Sequence, residues 1–265
     1  MMKAKSLLVF VLACALLVAG CSAVPPNSDM PEAVPSTGLP STCTPSAANP
    51  PMDYTLYGGD ILRVGSQGYE KCRINADTAQ KYAGLISDAA DALAGETQVY
   101  CLIIPTSYGI LLPDEVKARL SDYEDTEACI SEVYAALSEN AKPVRVWDKL
   151  KAHSDEFIYF RTDLHWTARG AYLGYEAFCN AKGIAPIPLE AHRSVNFEGF
   201  FGTFYSESGG DEKFSPAETI EAFYPVSDGV TLTVTDADDN TTDCPIVADV
   251  SELLSLIHIS EPTRP

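Results

Sequence analysis

A run that is apolar without interruption from Val99 to Ile104, in TQVYCLIIP, most constrains what this chain can fold into. A strand of that kind has to be covered on both faces, which calls for helices on either side and for parallel rather than open antiparallel pairing. Helices are legible on both sides of it. INADTAQKYAGLISDAADALAG, from Ile74, puts Tyr82, Leu85, Ile86, Ala89 and Leu93 on one face, with Asn75 or Asp77 as cap and Gly95 as the stop. A second helical pattern runs from Asp114 to Asn140, with Val116, Leu120, Tyr123, Ile130, Val133, Tyr134 and Leu137 as its apolar positions. KPVRVWD and EFIYFRTD read as two short strands, and TARGAYLGYEAFCNAKG as a helix capped by Thr167 and ended by Gly183. Strand, helix, strand, strand, helix is the opening of a doubly wound α/β sandwich. From Ser194 onward, FEGFFGTFYSESGG, ETIEAFYPV and GVTLTVTD read as loops plus a hairpin, and no internal repeat is visible.

The chain begins MMKAKSLLVFVLACALLVAGC, with Lys3 and Lys5 ahead of an apolar run from Leu7 to Ala19. The run is short for a membrane span, and its charged start and small-residue end fit an export signal over residues 1–20. LVAGC resembles the bacterial lipobox, which makes Cys21 the expected lipid anchor and the membrane surface the expected partner. A secreted protein cleaved nearby is the other reading. Residues 21–52 are rich in proline and poor in large apolar side chains, so they are expected to be a disordered spacer ahead of a domain over residues 53–253. LSLIHISEPTR, within residues 254–265, resembles an in-frame translation of a sequencing adapter. The expectation is therefore that this tail is not native and that the domain is truncated near Leu253.

Charge excludes some partners. With 18 Lys+Arg against 37 Asp+Glu, the net charge is −19, so nucleic acid and anionic headgroups are not expected as direct partners. Of eight cysteines, Cys14 and Cys21 fall in the leader, and Cys43, Cys72, Cys101, Cys129, Cys179 and Cys244 show no metal-binding spacing. No metal and no cofactor are expected. Sequence does not choose among the 15 pairings that six cysteines allow, and Cys101 and Cys179 read as buried thiols.

FIYFRTDLHWTARGAY carries the chemistry. Asp163 and His165 stand at the end of an apolar strand and before a helix, and ligands of open α/β sheets bind beyond such strand ends. A carboxylate two residues from an imidazole can fix the ring's tautomer and stabilise its charged form. Two other readings stay open. Asp163 can be a helix cap beside a satisfied His165 and a core Trp166, or Asp163 and His165 can join His153 or His192 around a metal. Ser107, in IIPTSYG, is the best internal candidate for a nucleophile, although it lacks a nucleophile elbow and Thr-Ser is a common turn pair. Ser206 and Ser208 rank below it.

YFRTDLHWTARGAY, FEGFFGTFYSESG and PAETIEAFYP resemble the DHHW family of bacterial exported proteins, which is related to the SGNH-hydrolase-like proteins that O-acetylate alginate. The resemblance covers most of residues 53–250. It implies a three-layer, doubly wound SGNH-hydrolase-like fold. It also implies that Asp163 and His165 are the acid and base of a catalytic triad, with Trp166 and Thr167 as packing and cap. Leu164 stands where the family has its first His, so that position is not essential here or this copy is impaired. Glu218 stands where the family usually has Asp. The triad serine of such proteins lies downstream in a Lys-Asp-Ser-like segment, which this sequence lacks. The expected function is an exported lipoprotein, an esterase or O-acyltransferase acting on cell-envelope or extracellular polysaccharide, and inactive as it stands. Phe201, Phe204 and Tyr205 are candidates for stacking on sugars. The rival function is a non-catalytic envelope binding lipoprotein.

Overall fold

Tyr54–Tyr57 (β1), Ile61–Val64 (β2) and Gln67–Glu70 (β3) form an antiparallel meander in which β2 lies between the other two. This computed structural model describes residues 54–71, 75–226, 232–235, 239–244 and 247. The expected leader, Cys21, the spacer to residue 52, Cys43, Cys72 and the tail 254–265 lie outside the described residues. Nothing in the sequence announced the meander, because a buried arginine breaks its inside–outside alternation. Arg63 is buried between Leu62 and Val64, and donates to the Gly65 carbonyl (2.6 Å), to Thr55 Oγ1 (2.8 Å) and to the Tyr57 hydroxyl (3.1 Å). It also pairs with Asp211 at 3.4 Å.

The helix Ala76–Ala92 (α1) starts where expected, with Asn75 accepting from the Thr78 N–H at 2.8 Å. Val99–Leu102 (β4) then runs parallel to Ala141–Val144 (β5), with Val99 opposite Ala141 and Leu102 opposite Val144. Between them come Ser107–Leu111 (α2), Asp114–Lys117 (α3) and Thr126–Ala135 (α4). The single helix expected over 114–140 is therefore two. Asp125 starts the second by accepting from the Glu127 and Ala128 N–H groups. The apolar positions also serve different cores. Val116, Leu120 and Tyr123 pack with Leu62, Tyr69 and Tyr108, whereas Ile130 and Tyr134 pack with Cys101.

Alternation along β4 explains its apolar sequence. Cys101 faces α1 and α4, while Tyr100 and Leu102 face the opposite cluster, built from Trp147–Ala152 (α5) and Ala168–Lys182 (α6) around Val144, Leu150, Leu173 and Ala177. Helices cover both faces of a parallel pair, as that sequence demands. Cys101 and Cys179 are buried thiols outside any disulfide. Helix α6 begins with Thr167 accepting from the Gly170 N–H and ends at Gly183, whose φ of 75° suits only glycine well.

The third strand expected at EFIYFRTD does not form. Ile158, Tyr159 and Phe160 are buried, but the chain folds back so that Tyr159 bridges Trp166, and its backbone groups are taken up within this reversal and by Gln67, Gly68, Phe204 and Glu218 instead of a neighbouring strand. Downstream, Ser194–Phe200 (β6) pairs antiparallel with Glu218–Phe223 (β7), and Thr203–Glu207 (α7) lies in the connection. Leu232–Thr235 (β8) and Thr241–Cys244 (β9) make the expected hairpin. The described strands thus form four small sheets in a mixed α/β fold. No helix among the described residues is long and apolar enough to cross a membrane.

Two glycines test this packing. A Cβ on Gly68 would lie 2.3 Å from the Phe204 ring, whereas one on Gly84, in α1, meets nothing within 4 Å. In urea unfolding, Gly68→Ala is expected to destabilise by about 1–3 kcal/mol, and Gly84→Ala to stabilise by up to about 1 kcal/mol.

Candidate active site

Residues 158–167 form a narrow reversal closed by the Phe160 N–H on the His165 carbonyl (3.2 Å) and the Thr167 N–H on the Ile158 carbonyl (2.9 Å). Its apex, Arg161 to Leu164, is gripped from three directions. From β3, the Gly68 N–H donates to the Arg161 carbonyl at 2.8 Å, and Gln67 Nε2 to the Phe160 carbonyl at 3.1 Å. From β7, the buried Glu218 carboxylate accepts from the Arg161 and Thr162 backbone N–H groups at 2.7 and 2.8 Å. From α7, the Phe204 N–H donates to the Thr162 carbonyl at 2.9 Å.

The grip brings Asp163 and His165 together. Asp163 Oδ1 accepts from the His165 backbone N–H (2.9 Å) and from His165 Nδ1 (2.6 Å), and Oδ2 accepts from the Thr203 N–H (2.9 Å). An ionised carboxylate can only accept, so the proton sits on Nδ1 and the lone pair of the neutral ring on Nε2. The Asp163 side chain is 9% exposed and the His165 ring 62%, so the acid is shielded while the imidazole faces solvent. Among the described residues Nε2 has no hydrogen-bond partner. Gly202 makes this possible: a Cβ there would lie 2.3 Å from Asp163 Cβ and 2.5 Å from Oδ2.

Electrostatics act on the pair in opposite senses. Burial disfavours the charged form of Asp163, but hydrogen bonds from the His165 ring and from the Thr203 and His165 N–H groups outweigh it, with the imidazolium charge adding to them. The carboxyl is held below its ordinary value. The same ring hydrogen bond raises His165 above its ordinary value; burial opposes this, and the charges of Asp163 and Glu70 assist it. Glu70 ends β3 on the side of Gly68, which faces Phe204 and the Arg161 carbonyl. Burial raises it, as do Glu207, Asp60 and Asp163, while His165 works the other way.

The other residues singled out in the sequence fall elsewhere. Trp166 packs against the α6 cluster and lies over Gly174, and Thr167 caps α6 while its hydroxyl donates to the Phe157 carbonyl. Ser107 is 1% exposed and donates to the Gly68 carbonyl at 3.3 Å, so its hydroxyl is committed to holding β3. Ser206 and Ser208 donate to the Thr203 and Tyr205 carbonyls one turn back. His153 bonds Glu156 and His192 the Tyr224 carbonyl; the described residues hold no cluster suited to a metal. Phe204 is a core residue, 1% exposed, and cannot stack on a sugar, whereas Phe201 and Tyr205 stack on each other, half-buried. The sequence reading missed the parts played by Gly202, Thr203 and Glu70. The Gly in FFGT was the available signal, since glycine marks close backbone approach.

The sequence model of the DHHW protein family matches residues 46–260. The chain belongs to the DHHW family. No curated protein matches it. Among solved structures, a DHHW family protein from Eubacterium siraeum is similar with a TM-score of 0.58 at 23% identity, over 68% of this chain and 58% of that one. Bacillus cereus PatB1, solved with a sulfonyl adduct, is similar with a TM-score of 0.55 at 17% identity, over 72% of this chain and 64% of that one. The O-acetyltransferase domain of Pseudomonas putida AlgJ gives a TM-score of 0.41 at 14% identity, over 66% of each chain. This chain thus spans less than two thirds of the length of each of these proteins, and shares its fold with the first two.

The link between Asp163 and His165 makes stability depend on pH in a defined way. A ring whose proton affinity folding raises stabilises fully below its ordinary value of 6.5, and loses that contribution as pH rises through the raised folded value. A carboxyl lowered by folding stabilises fully above its ordinary value of 3.8, and loses that contribution as pH falls through the lowered one. The stability gap between wild type and His165→Ala, read by urea unfolding, is expected to be full from about pH 4 to 6.5 and to shrink on either side.

Proposed function

We propose that this protein carries the acid–histidine half of a serine esterase or O-acyltransferase site, on a three-layer SGNH-hydrolase-like scaffold, and acts on acylated polysaccharide outside the cytoplasm. The observation that carries the reading is the shielded Asp163 holding Nδ1 of an exposed imidazole. In that arrangement Nε2 takes the proton from an attacking hydroxyl while Asp163 stabilises the imidazolium that results. The alkoxide adds to the ester carbonyl, and the tetrahedral species collapses as the imidazolium returns its proton to the leaving group. The acyl group is then passed to water or to a sugar hydroxyl by the same base. PatB1, similar in fold, was solved with a sulfonyl adduct, which accords with this reading.

Ser107, Ser206 and Ser208 donate their hydroxyls to backbone carbonyls, so the proposal assigns the reacting hydroxyl to none of the three. Tethering through a lipidated Cys21 belongs to the same proposal. Fatty-acid labelling in a bacterial host is expected to mark wild type and not Cys21→Ser.

The catalytic test uses the whole gene product and an activated acetyl ester. His165→Ala is expected to lower kcat/KM by at least about 100-fold, and the wild-type rate should climb with pH through an apparent value above 6.5, as a raised imidazole base requires. Equal rates for the two proteins would sink the assignment.

A further inference from the structure

Glu218 is a carboxylate with no contact with water: its side chain is 0% exposed. Glutamates are rarely buried so completely, because removing the charge from water is costly unless several donors replace the lost hydration. Here four donors do so. Oε1 accepts from the Arg161 N–H (2.7 Å) and from Arg161 Nε (3.3 Å), and Oε2 from the Thr162 N–H (2.8 Å) and from Thr162 Oγ1 (2.6 Å). All four belong to the two residues that precede Asp163.

The network continues from there. Thr162 Oγ1, having donated to Glu218, accepts from the Gly202 N–H at 3.0 Å. The next two N–H groups, of Thr203 and Phe204, donate to Asp163 Oδ2 and to the Thr162 carbonyl. One carboxylate from β7 and three successive amides at the start of α7 therefore close on a dipeptide, Thr162–Asp163, from two sides. We propose that Glu218 is a positioning residue for His165: by fixing Arg161 and Thr162 it sets the place of Asp163, and through Asp163 the orientation of the imidazole. The inference rests on His165 being the base of the proposed site.

Glutamine cannot replace it. A carboxylate offers two accepting oxygens, whereas an amide offers one oxygen and an NH2 group. Whichever way the amide turned, its NH2 would face a backbone N–H, of Arg161 or of Thr162. Nor is Glu218 a general strut, since among the described residues its side chain bonds only to residues 161 and 162.

The test is the titration of the His165 ring by NMR in the full chain, for wild type, Glu218→Gln, Thr162→Val and Thr162→Ser. The charged groups facing the ring, Asp163 and Glu70, with Glu207 and Asp60 beyond Glu70, are unchanged in all four. Glu218→Gln removes a charge as well as one of two accepting contacts to backbone N–H groups. Thr162→Val leaves that charge in place, so a drop there reports position alone. Both variants are expected to shift His165 down toward an ordinary imidazole and to lose the low-field Nδ1–H resonance, while Thr162→Ser keeps both. A folded Glu218→Gln protein with the wild-type titration would overturn the inference. Should the variants not fold, wild-type hydrogen exchange decides: the Arg161 and Thr162 amides must be as protected as the core, and rapid exchange refutes the proposal. No substrate enters these measurements, so they stand or fall apart from the esterase assay.

Discussion

A buried carboxylate beside an exposed imidazole persists only if both of its oxygens are satisfied, and that requirement organises the protein around residues 161–167. His165 supplies two donors to Oδ1, and the second oxygen needs one from elsewhere. It comes from the Thr203 N–H, which can approach only because residue 202 has no side chain. Close approach of α7 then places Phe204 against Gly68, and the meander of β1 to β3 against the loop. Each contact is a condition of the next.

Much of this was legible in advance where a single residue type carries the message. The apolar run of β4, the Asn75 and Thr167 caps and the Gly183 stop all follow from local chemistry, whereas the spacing of Asp163 and His165 does not show that the two side chains bond. What was not legible depends on partners distant in sequence. The strand expected at EFIYFRTD has the right residues, but its backbone groups are taken up by its own reversal and by Gly68. The helix expected from Asp114 divides because its apolar positions answer to two cores, a division that periodicity alone does not reveal. Arg63 hid the meander because a buried arginine has to be paired, and its partner Asp211 lies far along the chain.

Leu164, which the resemblance sets in the place of the family's first His, stands in an apolar setting. Its side chain packs against Ile61, Phe204 and Phe214, an apolar cluster in which an imidazole would need a polar partner. The leucine therefore suits the side of the apex that turns inward, while His165, the next residue, turns out. The two neighbours divide the loop between the apolar core and solvent.

Contacts that hold the apex are separated by 93 residues toward the N-terminus, between Gln67 and Phe160, and by 57 toward the C-terminus, between Arg161 and Glu218. Loop closure over such spans is entropically slow and comes after local helices have formed. During synthesis, then, a ribosome must release the polypeptide beyond position 218 before the acid and the imidazole can be locked in register. Until that moment the nascent protein carries both residues but not the contacts that hold them together.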